Sequence, residues 1–269
     1  MSMREVKAGL IDQLQVHEGD AADDLFTQKL PVAYRLIREI FKTYLDITSD
    51  DAHILALWII AANYKDAFLT FPILYLNASK GSGKTRVLKL IAALLPSSII
   101  ATSLTESALF RIAQVRDCIL IDEAERLTSK EKISLKELLN SCYKKSGKIL
   151  RVEGDKIKVV REFDMYRAVA LANIWGLDSV LEDRCISIQL QKSNRQDIIA
   201  MPEMFDVDPR IQAVNTFFAQ TRAGVGSYAE ILVKGYNTTL LSHMGIDIHT
   251  YTHTQEPLND DDKKKCRFL

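Results

Sequence analysis

The sequence predicts an α/β fold, a parallel sheet with flanking helices, led in by a helical segment and followed by a small helical region. Three observations carry this. Five short runs rich in Ile, Val and Leu recur mid-chain: "ILYL" (73–76), "SIIAT" (98–102), "CILI" (118–121), "RAVALA" (167–172) and "CISIQL" (185–190). Unbroken apolar runs of this length suit strands buried on both faces of a parallel sheet. Helical spacing at 84–95, 105–115 and 131–145 separates them, and alternating strand and helix is the pattern of parallel α/β sheets. The third observation is a glycine-rich turn, "GSGKT", between the first run and the helix after it.

The elements follow in order. Residues 1–26 are polar with weak helical spacing, broken by "HEGDAADD". From Pro31, Val32, Leu36, Ile40 and Tyr44 form one helical stripe. "TSDDAHILALWIIAANYKDAF" follows, with an N-cap signal at Ser49/Asp50 and apolar residues on most sides, so it is expected to be buried. A Ser103/Glu106 capping box opens the helix at 105. After residue 192 the pattern is helical again, and the polar tail is expected to be disordered. The expected division is 1–48 as an N-terminal helical segment, 49–192 as the core, 193–245 as a helical lid or C-terminal region, and 246–269 as tail.

Bulk properties narrow the class. With 269 residues, 47% hydrophobic and 26% charged, the chain has the composition of a soluble globular protein. Its formal net charge of +0 excludes a global pull toward nucleic acid, so any such surface must be local. Cys118, Cys142, Cys185 and Cys266 form no CxxC pair, which argues against a zinc site and for a reducing compartment. No signal peptide or bilayer-spanning run is visible, and the expected location is cytoplasmic with no membrane contact.

The turn reads A-S-K-G-S-G-K-T (78–85), which fits the phosphate-loop pattern G-x-x-x-x-G-K-[ST] except that Ala78 replaces the first glycine. The candidate nucleotide-binding residues are Ser79, Lys80, Gly81, Ser82, Gly83, Lys84, Thr85 and Arg86. Backbone N–H groups and the following helix N-terminus would cradle phosphates. Lys84 would neutralise β- and γ-oxygens, and Thr85 would hold Mg²⁺.

Thirty-seven residues past Thr85, "CILIDE" ends a strand in Asp122 and Glu123. In a Walker B motif Asp122 would position Mg²⁺ and Glu123 would act as general base on water. An ATP-hydrolysing enzyme with ATP and Mg²⁺ as its cofactors is expected. "RAVALAN" ends in Asn173, which would meet the γ-phosphate if its strand lies beside both nucleotide motifs. Asp183-Arg184 opens the last strand, and Arg184 would reach a neighbour's site as an arginine finger.

This order of motifs resembles the AAA+ ATPase core of the P-loop NTPases. The stretch from "HILALWIIAANY" through "LLNSCYKKSGKILRV" to "LDSVLEDRCISIQL" is similar to the ATPase domain of phage- and plasmid-encoded primase-helicase proteins. Departures are Ala78, Ser141-Cys142 in place of Gly-His or Gly-Tyr, and Ser179 where the closing segment's first Asp belongs. The resemblance implies an AAA+/RecA-like fold, a hexameric ring of this chain, single- or double-stranded DNA as substrate, and a primase or origin-binding partner. Two other readings stay open: a clamp-loader-like ATP switch acting on a protein, and a protein-remodelling ATPase without nucleic acid.

Between Walker B and Asn173, "KILRV" and "KIKVV" read as two strands joined by an "EGD" turn. Lys144, Lys145, Lys148, Arg151, Lys156, Lys158 and Arg161 make this stretch basic. Lys148, Arg151, Lys156 and Lys158 are the candidate nucleic-acid contacts, tracking phosphates without reading bases. Arg210 and Arg222 are candidate sensor arginines, and the five His residues show no metal spacing.

Overall fold

The computed structural model describes residues 3–15, 28–102, 104–123, 133–153, 159–173, 177 and 179–222. In chain order these form α1 (Met3–Leu14), α2 (Leu30–Tyr44), α3 (Ser49–Asn63), β1 (Ile73–Ala78), α4 (Lys84–Leu94), β2 (Ser98–Ala101), α5 (Glu106–Ala113) and β3 (Cys118–Ile121). They continue as α6 (Ile133–Cys142), β4 (Lys148–Glu153), β5 (Val159–Asp164), β6 (Ala168–Asn173), α7 (Ser179–Glu182), β7 (Cys185–Leu190), α8 (Gln196–Ile199) and α9 (Pro209–Thr221).

The five apolar runs are the five strands of one sheet in the order β2-β3-β6-β1-β7, and every pairing is parallel. This is the α/β P-loop architecture expected. Side chains alternate between the faces. Leu74, Leu76, Leu120, Ala170 and Ile188 join one core with α2, α3, α4 and α9. Ile73, Tyr75, Ile119, Ile121, Val169 and Leu171 join the other with α5 and α6. Burial on both faces is why the central strands β1, β3 and β6 lack polar alternation, whereas the edge strand β7 exposes Ser187 and Gln189.

Helix α2 buries its expected stripe, with Ala33, Ile37 and Phe41 beside it. Helix α3 is buried on nearly all sides, and Trp58, fully enclosed, donates its indole N–H to the Pro72 carbonyl at 3.0 Å. Two caps differ from expectation. Thr48, not Ser49 or Asp50, caps α3 by accepting from the Asp51 N–H. Thr105 caps α5 by accepting from the Ala108 N–H, and Ser103 lies outside the described residues. Each helix opens where its first carbonyl–amide bond closes, which apolar spacing alone does not fix.

Strands β4 and β5 form the expected antiparallel hairpin, but in another register. Arg151 faces Arg161, Val152 faces Val160 and Glu153 pairs with Val159, while residues 154–158 between the strands lie outside the described residues. Phe163, opposite Ile149, packs edge-on against Phe110 of α5 at 4.7 Å, which fixes the hairpin against the core.

Gly147 leads into the hairpin where no side chain fits: a Cβ there would lie 2.2 Å from the Ser141 carbonyl oxygen and 2.9 Å from that of Lys144. Gly147→Ala is expected to destabilise the fold by about 1–3 kcal/mol, measured by denaturant unfolding.

Asp208 caps α9 and forms a buried ion pair with Arg210 at 2.5 Å, each residue 7% exposed. Tyr44 and Thr43 of α2 complete the cluster. Burial alone pushes the Asp208 carboxyl up, but the bonds from Arg210 and Tyr44 outweigh it and hold the group below its ordinary value. A lowered native pKa contributes stability above the unfolded value, which is lost as pH falls through the native one. Asp208→Asn is therefore expected to flatten the loss of stability below about pH 4, read from urea midpoints across pH.

Candidate functional site

Sheet order assembles the site. Strand β6 lies between β1 and β3, in register with both: Asn77 faces Asn173, and Ile121 faces Leu171. The phosphate loop leaving β1, the acidic pair leaving β3 and Asn173 ending β6 therefore share the carboxyl end of three adjacent strands. Asn173 meets the condition set for it and is fully buried.

In the loop, Gly81 and Gly83 hold φ of 79° and 86°, a left-handed conformation that strains any residue with a Cβ. Ala78 needs no such freedom. It is the last residue of β1, paired with Leu190 of β7 and 1% exposed, so the missing glycine leaves the loop geometry intact. The Ser82 hydroxyl closes the turn by donating to the Ser79 carbonyl at 2.7 Å. Lys84 starts α4, and the Val87 N–H donates to the Gly83 carbonyl at 3.0 Å. The loop thus ends on the positive end of an eleven-residue helix dipole.

The Thr85 hydroxyl donates to Asp122 Oδ2 at 2.6 Å. Asp122 is 5% exposed, and its Oδ1 accepts the Glu123 N–H at 3.0 Å. A hydroxyl and a buried carboxylate converging beside a phosphate cradle form a hard oxygen donor set, which fits Mg²⁺ shared with a nucleotide. Glu123 is exposed and holds φ of 58°, the one positive value among described non-glycine residues. Such backbone strain recurs where a side chain must be aimed.

Beside the loop opens a cleft of about 450 Å³. Sequence reading finds its floor, Gly81 to Arg86, but misses its other walls. These are Tyr44–Ile47 between α2 and α3, Leu190–Ser193 after β7, and Ile198, Ile199 and Glu203. No local motif marks them, because chain stretches far apart in sequence meet there. Arg86 lines the cleft, but its guanidinium is turned to the Ile198 and Met201 carbonyls at 2.6 and 3.2 Å.

Arg184 sits at the amino end of β7, where its carbonyl accepts the Ile73 N–H. The phosphate loop leaves the opposite end of β1, about 16 Å away at 3.3 Å per residue. Its guanidinium donates to the Asn140 carbonyl at 3.3 Å and lies 5.7 Å from the Tyr143 ring centre. Arg210 is held by Asp208, and Arg222 donates to Asn63 beside Asp117, at the sheet's amino end.

In the hairpin, Lys148 pairs with Glu162 at 2.7 Å. Arg151 stacks on Phe110 at 3.8 Å and pairs with Glu106 at 2.9 Å. The face opposite Arg151 also carries the Lys148–Glu162 pair and exposes Leu150, Val152 and Val160, each 60% or more. Lys156 and Lys158 lie outside the described residues.

No family model matches the chain, and no curated protein matches it. Among solved structures, it is similar to the A-form apo C-terminal region of NrS-1 at 11% identity and a TM-score of 0.40, over 70% of this chain and 44% of that one. A second apo structure of that region gives 12% and 0.39, with the same coverage. A JCV helicase bound to a thiazolopyridine acetamide gives 13% and 0.36, over 93% of this chain and 75% of that one. The chain spans under half the length of the NrS-1 chains. Among the described residues no helix is long and apolar enough to cross a membrane.

Proposed function

We propose that the chain is a Mg²⁺-dependent ATPase of the AAA+ type, working as a ring-forming DNA helicase or translocase in the replication of a virus or plasmid. The observation that supports this most is the convergence of Thr85 and Asp122 at 2.6 Å, with Glu123 and Asn173 at the same end of the sheet. Lys84 and the loop amides bind the β- and γ-phosphates. Thr85 and Asp122 would hold Mg²⁺, which would supply charge neutralisation on the phosphoryl oxygens. Glu123 accepts a proton from water as its oxygen bonds to the γ-phosphorus, and the bond to the bridging oxygen breaks with its electrons leaving on ADP. Asn173 orients the γ-phosphate or that water. Arg184, too far from its own loop, completes the site of a neighbour in a hexameric ring.

DNA is the second substrate in this reading, gripped through the hairpin. Single-stranded DNA is expected to raise ATP turnover several-fold, and neutralising Lys156 and Lys158 together is expected to remove that stimulation while basal turnover persists. Absence of stimulation in the wild type would remove the helicase assignment. The exposed aliphatic face of Leu150, Val152 and Val160 favours a second reading, an ATP switch that grips a protein partner such as a primase or origin-binding protein. In that case polar substitution of Val152 and Val160 abolishes partner binding, and DNA has no effect on turnover.

A further inference from the structure

One wall of the cleft, residues 198–203, is anchored by two apolar side chains, Ile198 and Met201. Ile198 is buried, whereas Ile199 is 48% exposed toward the cleft, and α8 is a single turn. Polar contacts add to this anchorage, and they converge on Arg86. Its guanidinium donates to the carbonyls of Ile198 at 2.6 Å, Ile199 at 3.5 Å and Met201 at 3.2 Å, and to Glu203 Oε1 at 3.3 Å. Lys89, one turn along α4, holds the other Glu203 oxygen at 2.8 Å. Across the cleft, Asp46 accepts from the Ser193 hydroxyl at 2.7 Å and ties the α2–α3 connection to the chain leaving β7.

The placement of Arg86 is specific. It follows Thr85 directly on the first turn of α4, so the phosphate-binding helix and the far wall are joined by one side chain. That side chain is only 20% exposed and spends its donors on the wall. A triphosphate at the loop would cover the floor, and the rest of a nucleotide would extend between the Ile47 and Ile199 walls, whose aliphatic surface suits the flat face of a base.

We propose that Arg86 is a positioning residue, which sets the base-and-ribose end of the cleft by holding residues 198–203 and does not itself bind phosphate. This rests on the ATPase reading and refines it. A wall fixed in advance costs the nucleotide less ordering on binding. Removing the clamp therefore weakens ligands that reach the wall and spares ligands confined to the loop.

The test compares Mg²⁺–ADP with Mg²⁺–pyrophosphate by calorimetric titration of the full chain, as wild type, Arg86→Ala, Arg86→Lys and Glu203→Gln. Arg86→Ala is expected to weaken ADP about tenfold and pyrophosphate less than about twofold, with Arg86→Lys and Glu203→Gln between it and wild type for ADP. Equal losses for both ligands, or no loss for ADP, overturn the proposal. Should Arg86→Ala fail to fold by circular dichroism, Glu203→Gln, at a partly exposed position, decides on the same two ligands. A wild type that binds neither ligand refutes the ATPase reading and this proposal with it, whereas equal losses refute the positioning role alone.

Discussion

Glu123→Gln is expected to bind Mg²⁺–ATP as the wild type does and to hydrolyse it at least about a hundredfold more slowly, the usual share of a positioned general base. The isosteric amide keeps shape and the backbone contact to Asp122, and it loses only the capacity to take a proton. The positive φ at Glu123 separates chemistry from strain. A left-handed non-glycine costs roughly 1–2 kcal/mol, so Glu123→Gly is expected to lose turnover while its melting temperature does not fall. Nucleotide titration, phosphate release and thermal melts read the three quantities. Normal turnover in Glu123→Gln would remove the residue from the mechanism.

Lys84→Ala is expected to weaken ATP at least about a hundredfold, roughly 3 kcal/mol, and to leave no measurable turnover. The lysine sits half-buried on the first turn of α4, where solvent screens its attraction to phosphate only in part. Stability is expected to hold, because Gly81 and Gly83 set the loop's path and Lys84 does not. Titration with labelled ATP beside a melting curve checks both parts.

What the sequence shows and hides has a physical pattern. The central strands β1, β3 and β6 are legible because each is buried on both faces, which leaves apolar runs. The edge strands β2 and β7 are legible from their Ile and Leu content although they are partly exposed. The glycine-rich loop and the acidic pair are legible because they match a compact local motif, and their proximity in space follows from sheet order. Helix starts are less so: Thr48 and Thr105 cap α3 and α5 where Ser49 or Asp50 and Ser103 read equally well. The hairpin's register is hidden because Phe163 is fixed by Phe110, a residue far away in sequence. Its cations read as a DNA surface, yet Arg151 and Lys148 each have a carboxylate partner. The cleft's far walls, and the Arg86 clamp that fixes one of them, combine remote stretches and leave no local signature.

In the proposed function, Lys84, Thr85, Asp122 and Glu123 form one hydrolytic site. Release of inorganic phosphate from ATP by the wild-type chain, with Mg²⁺ and then with the metal chelated, tests it most directly. Turnover is expected to stop on chelation and to return when Mg²⁺ is restored. Failure to release phosphate in the presence of Mg²⁺, with single-stranded DNA supplied, would contradict the proposed function.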